Sequence, residues 1–182
     1  KELAERMRLF RSHGITRDTH KMTKPEGMDW YYEQISIGFN YRMSDIHASI
    51  GISQLDRLDK YIERRSEIAL WYDDKFKNIS VKPLVQITGN KSSHHLYVIR
   101  VNNGENERNR IFKYLRKHNI LVNLHYIPIY RQPFYMNNLN YKKLSGAEEY
   151  FKSALSIPIF PSITEQELNK VVTILSNSIR DL

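Results

Sequence analysis

Asn40 and Arg42 stand two apart in a short polar run, Gly38-Phe39-Asn40-Tyr41-Arg42-Met43-Ser44-Asp45. Alternate positions of an extended loop face one side, so an amide and a guanidinium come together there. The planar guanidinium fork matches the geometry of a phosphate. Directly behind it Ser44 is a good N-cap and Asp45 complements a helix dipole, and a helix start favours a bound anion. A plainer reading stays open, in which Arg42 pairs with Asp45 and Asn40 caps a turn. His125 and Tyr126 form a second polar pair, at the end of an expected strand just ahead of Pro128. They either meet a substrate or include a core histidine satisfied by backbone. A third group, Trp30-Tyr31-Tyr32, lies inside an irregular loop over residues 15–37. Long loops in compact chains tend to be functional or to form interfaces. Either the aromatics pin the loop to its neighbour, or Trp30 and Tyr31 touch a substrate or a second subunit.

Other chemistries find no footing in the sequence. No phosphate-cradling glycine loop of the Walker or dinucleotide type is present, and no histidine pair has metal spacing on a helix. His94 and His95 are adjacent in an expected strand, so they face opposite sides and share no ligand. With zero cysteines there is neither disulfide nor thiolate site, which fits a reducing cytoplasm. No apolar run approaches the ~20 residues of a membrane helix, and the charged, amphipathic start is unlike a signal peptide. The net charge of +8 suggests nucleic acid first. Yet bases alternate with acids, as in Asp56-Arg57, Asp59-Lys60 and Glu63-Arg64-Arg65, which is the pattern of solvated helix faces. Hydrophobic residues at 41% and charged residues at 26% suit a globular domain. A first residue Lys1 rather than Met suggests a fragment or a processed product.

The elements that carry these groups follow from periodicity. Leu3, Met7 and Phe10 predict a helix over Lys1 to about Ser12, stopped at Gly14. Lys24-Pro25-Glu26-Gly27 is turn chemistry. Apolar residues from Ile46 to Phe76 predict one helix from Ser44, roughly thirty residues or 45 Å long, kinked near Gly51 or bridging two lobes. A short extended piece is expected at Val81–Val85, a strand at His94–Val101 and a turn at residues 102–106. A helix over Arg108–Lys117 should end near Asn119, followed by a strand over Ile120–Tyr126. Gln132–Leu144 reads as a loop containing Pro133, Ala147–Ala154 as a helix and Leu155–Pro161 as extended chain. Thr164 and Glu167 form a capping box ahead of a helix whose stripe is Leu168, Val171, Val172, Leu175 and Ile179. Strand, helix, strand, helix, helix after residue 77 makes a small α/β lobe. The divisions expected are 1–43, 44–77 and 78–182.

Four blocks together resemble one family. They are Leu9-Phe10-Arg11-Ser12-His13-Gly14-Ile15, the Gly38–Asp45 run, Val122-Asn123-Leu124-His125-Tyr126-Ile127-Pro128, and Leu155-Ser156-Ile157-Pro158-Ile159-Phe160-Pro161. In order and spacing they resemble the DegT/DnrJ/EryC1/StrS family of pyridoxal-phosphate sugar aminotransferases. The resemblance implies an α/β fold class: the C-terminal part of a fold-type-I enzyme, a remnant of its cofactor domain, a long linking helix and a small C-terminal α/β lobe. It implies pyridoxal 5'-phosphate (PLP) as cofactor, glutamate as amino donor and a keto nucleotide sugar of the UDP-4-keto-6-deoxy type as acceptor. The blocks are nearest to the pseudaminic-acid branch. A cytoplasmic homodimer is implied, in which Asn40 and Arg42 reach the cofactor phosphate and substrate of the neighbouring subunit. His125 and Tyr126 would face the sugar or its pyrophosphate. The family's Schiff-base lysine, the acid on the pyridine nitrogen and the ring-stacking aromatic would all lie upstream of Lys1, leaving these 182 residues inactive alone. Relatives with histidine in place of that lysine are sugar dehydratases, so that alternative stays open, as does a non-catalytic interaction module.

Overall fold

Leu3, Met7 and Phe10 recur at helical spacing, and the computed structural model, which describes residues 1–24, 29–138 and 142–180, has helix α1 there over Glu2–Phe10. Pro25, Glu26 and Gly27 of the expected turn lie outside the described residues, as do residues 139–141 of the expected 132–144 loop. The chain divides into two compact units, Lys1–Asp56 and Arg57–Leu182. In the first, α1 is followed by β1 (Ile15–Thr16), which pairs antiparallel with β2 (Glu33–Gln34), and by α2 (Asp45–Leu55). Neither α1 nor α2 contains a buried residue. Leu3, Met7, Ile46, Ile50, Ile52 and Leu55 are all exposed.

The second unit holds the hydrophobic core. Its elements are α3 (Leu58–Lys75), β3 (Val81–Pro83), β4 (Tyr97–Val101), α4 (Gly104–Lys117), α5 (Pro133–Asn138), α6 (Ser145–Ser153), β5 (Ala154–Ile157) and α7 (Glu165–Arg180). The three strands form an antiparallel sheet in the order β3-β4-β5, with Val81 opposite Val101 and Ile99 opposite Leu155. Tyr97, Ile99 and Val101 are buried at alternate positions of β4, as the period of a half-covered strand requires. Ile68 and Tyr72 of α3, Ile111 and Leu115 of α4, and Leu168, Val171 and Leu175 of α7 complete the cluster. Arg65 of α3 ties two loops to this helix, its Nη1 donating to His94 O at 3.0 Å and Ile159 O at 2.9 Å. Among the described residues no helix is long and apolar enough to cross a membrane.

Several elements depart from the periodicity. The helix expected from Ser44 to Phe76 is two helices, interrupted at Asp56–Arg57 and not at Gly51. Neither Asp56 nor Arg57 is a helix breaker; the interruption, with Arg57 at φ −106° and ψ −5°, falls at the boundary between the units. His94 takes a positive φ of 45°, so it and His95 precede β4, and the argument from opposite strand faces does not apply to them. Ile120–Tyr126 is not a strand: a single bridge, Asn123 to Ser156, joins it to β5. The Asn123 side chain takes the next amide, Leu124 N–H, at 2.8 Å, a local bond that competes with a ladder. Pro133 begins α5 where a loop was expected, because a first-turn proline lacks only an amide that a helix leaves unpaired.

Elsewhere the local signals hold. Asn119 takes φ 60° after α4, with Asn119 N–H on Arg116 O at 3.1 Å and Ile120 N–H on Leu115 O at 3.0 Å, the paired bonds of a Schellman end. Thr164 N–H donates to Glu167 Oε2 at 2.8 Å and Glu167 N–H to Thr164 Oγ1 at 3.2 Å, a reciprocal capping box. Leu155, on β5 opposite Ile99, is fully buried in the core. Its replacement by alanine removes transfer energy and leaves a cavity, so L155A is expected to lower the unfolding free energy by about 2–5 kcal/mol, read by urea denaturation of the 182-residue chain.

Candidate functional site

The Asn40–Arg42 turn is placed by backbone, not by side chains. Residues 35–41 lie along the end of α1, with Ile35 N–H on Gly14 O at 2.9 Å, Phe39 N–H on Phe10 O at 2.6 Å, His13 N–H on Phe39 O at 2.9 Å and Tyr41 N–H on Arg11 O at 3.0 Å. Two glycines permit this approach. A Cβ on Gly38 would stand 2.3 Å from Gly14 N, and one on Gly14 would stand 1.9 Å from Ser36 O. Side chains then alternate across the run. Phe39 and Tyr41 stack on each other at 4.9 Å, and Arg42 donates to Asn40 Oδ1 from Nε at 3.0 Å and from Nη2 at 2.8 Å. The amide and the guanidinium therefore do meet, and Arg42 turns to Asn40 instead of Asp45. Both side chains are exposed. Immediately behind them Ser44 caps α2, its Oγ accepting from His47 N–H at 3.4 Å and lying 2.8 Å from His47 Nδ1.

Trp30 and Tyr31 sit in the same unit. Trp30 is 68% exposed, with its ring edge-on to Tyr31 at 6.1 Å. The Tyr31 hydroxyl is already engaged, donating to Glu33 Oε1 at 3.1 Å. Glu33 is a hub that sequence reading missed. It also accepts Thr23 N–H at 2.7 Å, Lys24 N–H at 2.8 Å and the Thr23 hydroxyl at 3.0 Å. Bonds from the Thr23 backbone, with smaller help from Lys24, Thr23 Oγ1 and Tyr31, hold its carboxyl below the ordinary glutamate range against the opposing effect of desolvation.

His125 and Tyr126 belong to the second unit. His125 is half-buried, and its Nδ1 lies 2.7 Å from Ser156 Oγ, so a side chain and not backbone satisfies the ring. The Tyr150 hydroxyl donates to His125 O at 3.1 Å. Tyr126 is 73% exposed, its ring perpendicular to His125 at 4.7 Å. His125 opens on a cleft of about 500 Å³ whose walls include Asn119, Leu121, Asn123, Ser156 and Lys170. Ser156 was legible as a candidate partner, being a hydroxyl in the apolar run Leu155-Ser156-Ile157, since buried polar atoms find hydrogen bonds. Glu33 gave no such signal.

Two tests follow from this geometry. Gly38→Ala forces backbone apart at Gly14 and is expected to abolish amide exchange protection at Phe39 and Tyr41. Glu33, with its pKa depressed on folding, stabilises its attachment to Thr23 and Lys24 above the ordinary carboxyl pKa and ceases to do so as pH falls through the lower folded value. The Thr23 and Lys24 amide resonances should therefore titrate with a midpoint below the ordinary glutamate value and lose that titration in E33Q; a midpoint at or above the ordinary value would contradict the hub.

Comparison with known proteins places the chain in a family. The family model for DegT/DnrJ/EryC1/StrS aminotransferases matches residues 1–176. The chain is 34% identical over 170 residues to the UDP-4-amino-4,6-dideoxy-N-acetyl-beta-L-altrosamine transaminase of Campylobacter jejuni, covering 92% of this chain and 42% of that one. It superposes on Helicobacter pylori PseC, an aminotransferase involved in the biosynthesis of pseudoaminic acid, with a TM-score of 0.86 and 30% identity, over 100% of this chain and 47% of that one. Spr1654 of Streptococcus pneumoniae, solved in a PMP form, gives a TM-score of 0.87 at 28% identity, over 99% of this chain and 45% of that one. The chain thus spans somewhat less than half the length of these relatives. With its α/β architecture and its match from residue 1 to residue 176, the chain belongs to the DegT/DnrJ/EryC1/StrS aminotransferase family, whose enzymes use pyridoxal phosphate.

Proposed function

We propose that this chain is the C-terminal part of a PLP-dependent aminotransferase that moves an amino group from glutamate to a keto nucleotide sugar, of the UDP-4-keto-6-deoxy type, for surface polysaccharide or glycan synthesis. The observation that carries this reading is the exposed Asn40–Arg42 unit directly ahead of α2. Its donor set fits a phosphate: Arg42 Nη1 and the Asn40 amide hydrogens have no partner among the described residues, and the first-turn amides of α2 add a favourable dipole. In a homodimer these groups hold the phosphate of the coenzyme in the second subunit. When bound, the coenzyme supplies the electron sink for amino-group transfer.

The chain's own residues bind and orient. Ser156 at Nδ1 leaves His125 Nε2 as the ring nitrogen open to a sugar hydroxyl or pyrophosphate oxygen, and exposed Tyr126 adds a phenol beside it. Trp30 offers an exposed ring face on which a sugar or base can pack, while Tyr31, with its hydroxyl committed to Glu33, contributes ring surface. No proton-transfer role falls to any of these residues; in this reading the Schiff-base lysine precedes Lys1, and the 182 residues alone transfer no amino group. The absence of cysteine accords with a cytoplasmic setting.

The test is made in the full-length enzyme. Losing charge-assisted bonds, R42A and N40A are each expected to weaken PLP binding about 10–100-fold, and R42K to recover little of it, because an ammonium lacks the bidentate fork. Mixed with a variant lacking the Schiff-base lysine, R42A should regain activity in the heterodimer. Unchanged PLP affinity and failed complementation would refute the cross-subunit phosphate role. H125A and Y126A should raise KM for the nucleotide sugar and leave that for glutamate unchanged.

A further inference from the structure

The pair His125–Tyr126 stands on a segment that almost no backbone ladder holds, since Asn123 alone bridges to β5. What holds the segment is helix α6. The Tyr150 hydroxyl grips the His125 carbonyl at 3.1 Å. Two residues earlier on α6, the Glu148 carboxylate receives three donors from the far side of Pro128: Tyr130 Oη at 3.0 Å, Arg131 Nε at 3.0 Å, and Arg131 Nη2 on its other oxygen. The Arg131 guanidinium also lies 4.8 Å over the ring of Phe151, which carries Arg108 at 5.1 Å as well. Glu148 is only 14% exposed. Segment 125–131 is thus fastened to α6 at both ends, by Tyr150 at one and Glu148 at the other.

We propose that Glu148 is a positioning residue for His125 and Tyr126: by clamping Tyr130 and Arg131 to α6 it fixes the segment on which the pair stands, and with it the distance at which they meet a ligand. This rests on the reading above that the pair contacts the nucleotide sugar. The chemistry suits the task. A bidentate Arg–carboxylate pair constrains orientation as well as distance, and a segment without a ladder owes its preorganisation to such supporting contacts. Charge adds direction. Without the carboxylate, Arg131 and Arg108 remain as like charges beside one aromatic ring, with Glu105 pairing Arg108 at 3.1 Å. Neither Glu148 nor Arg131 faces the open cleft beside His125, so their effect on substrate passes through the segment.

Glu148→Gln keeps size and one acceptor but loses the fork. In the 182-residue chain, E148Q is expected to speed exchange of the Arg131 and Gln132 amides, which bond Pro128 O and Ile129 O, by about tenfold, the equivalent of one charged hydrogen bond. Amides of β4 and α7 should be unaffected. In the full-length enzyme the same variant should raise KM for the nucleotide sugar by about tenfold while kcat, KM for glutamate and PLP content stay near wild type. Tyr150→Phe, which releases the other end, should move both readouts in the same direction. Unchanged exchange at Arg131 and Gln132 in both variants would overturn the proposal, as would faster exchange with an unaltered sugar KM in an enzyme where H125A does raise it. If H125A itself leaves the sugar KM unchanged, the substrate reading of the pair fails, and the exchange experiment alone decides whether Glu148 sets the segment.

Discussion

Two peptide planes come closer at Gly14 and Gly38 than any side chain would allow, and the geometry of the first unit hangs on that contact. It lets residues 35–41 run along the end of α1 with backbone bonds at Phe10, Arg11, His13 and Gly14. With the backbone held, the alternation of the run is no longer free: Phe39 and Tyr41 take one side as a stack, and Asn40 and Arg42 take the other as a bonded pair. A phosphate-type donor set is thus presented without any buried charge, and with a helix start directly behind it.

The two units solve the problem of apolar surface differently. In Arg57–Leu182 three antiparallel strands and their helices enclose a continuous cluster from Ile68 to Leu175. In Lys1–Asp56 the apolar residues of α1, α2 and the 30–43 stretch stay at the surface. Exposed apolar surface on this scale marks a place of contact with other protein. It accords with a family whose members are about twice as long as this chain and with the proposed sharing of a site between subunits.

Polar groups of the candidate residues are held by hydrogen-bond partners from other parts of the same unit. Ser156 orients His125, Glu33 fixes Tyr31, and Glu148 with Tyr150 fastens the segment between them. Each is a buried or half-buried hydrogen bond that costs more when broken than it contributes when made. Trp30, Asn40, Arg42 and Tyr126 are exposed, whereas Glu33, Glu148, Tyr150 and Ser156 are buried or half-buried.

Signals confined to a few residues were readable from the sequence: the Thr164–Glu167 capping box, the left-handed end at Asn119, the alternation in Tyr97–Val101, the period-two meeting of Asn40 with Arg42, and the four blocks that carry the family resemblance. Each depends on interactions within a turn or two, or on the identity of residues, and so survives removal of context. What the sequence left open depends in part on local bonds that periodicity does not report, and in part on partners distant along the chain. The break at Asp56–Arg57 has no breaker residue and coincides with the end of one unit. The failure of Ile120–Tyr126 to become a strand turns on an asparagine that bonds its own neighbour, and the start of α5 at Pro133 on an amide that no helix would have used. The Ser156–His125, Glu33–Tyr31 and Glu148–Arg131 contacts span from 2 to 31 positions. Hydrogen bonds of that kind are chosen by how the chain packs, and only the tertiary structure could name them.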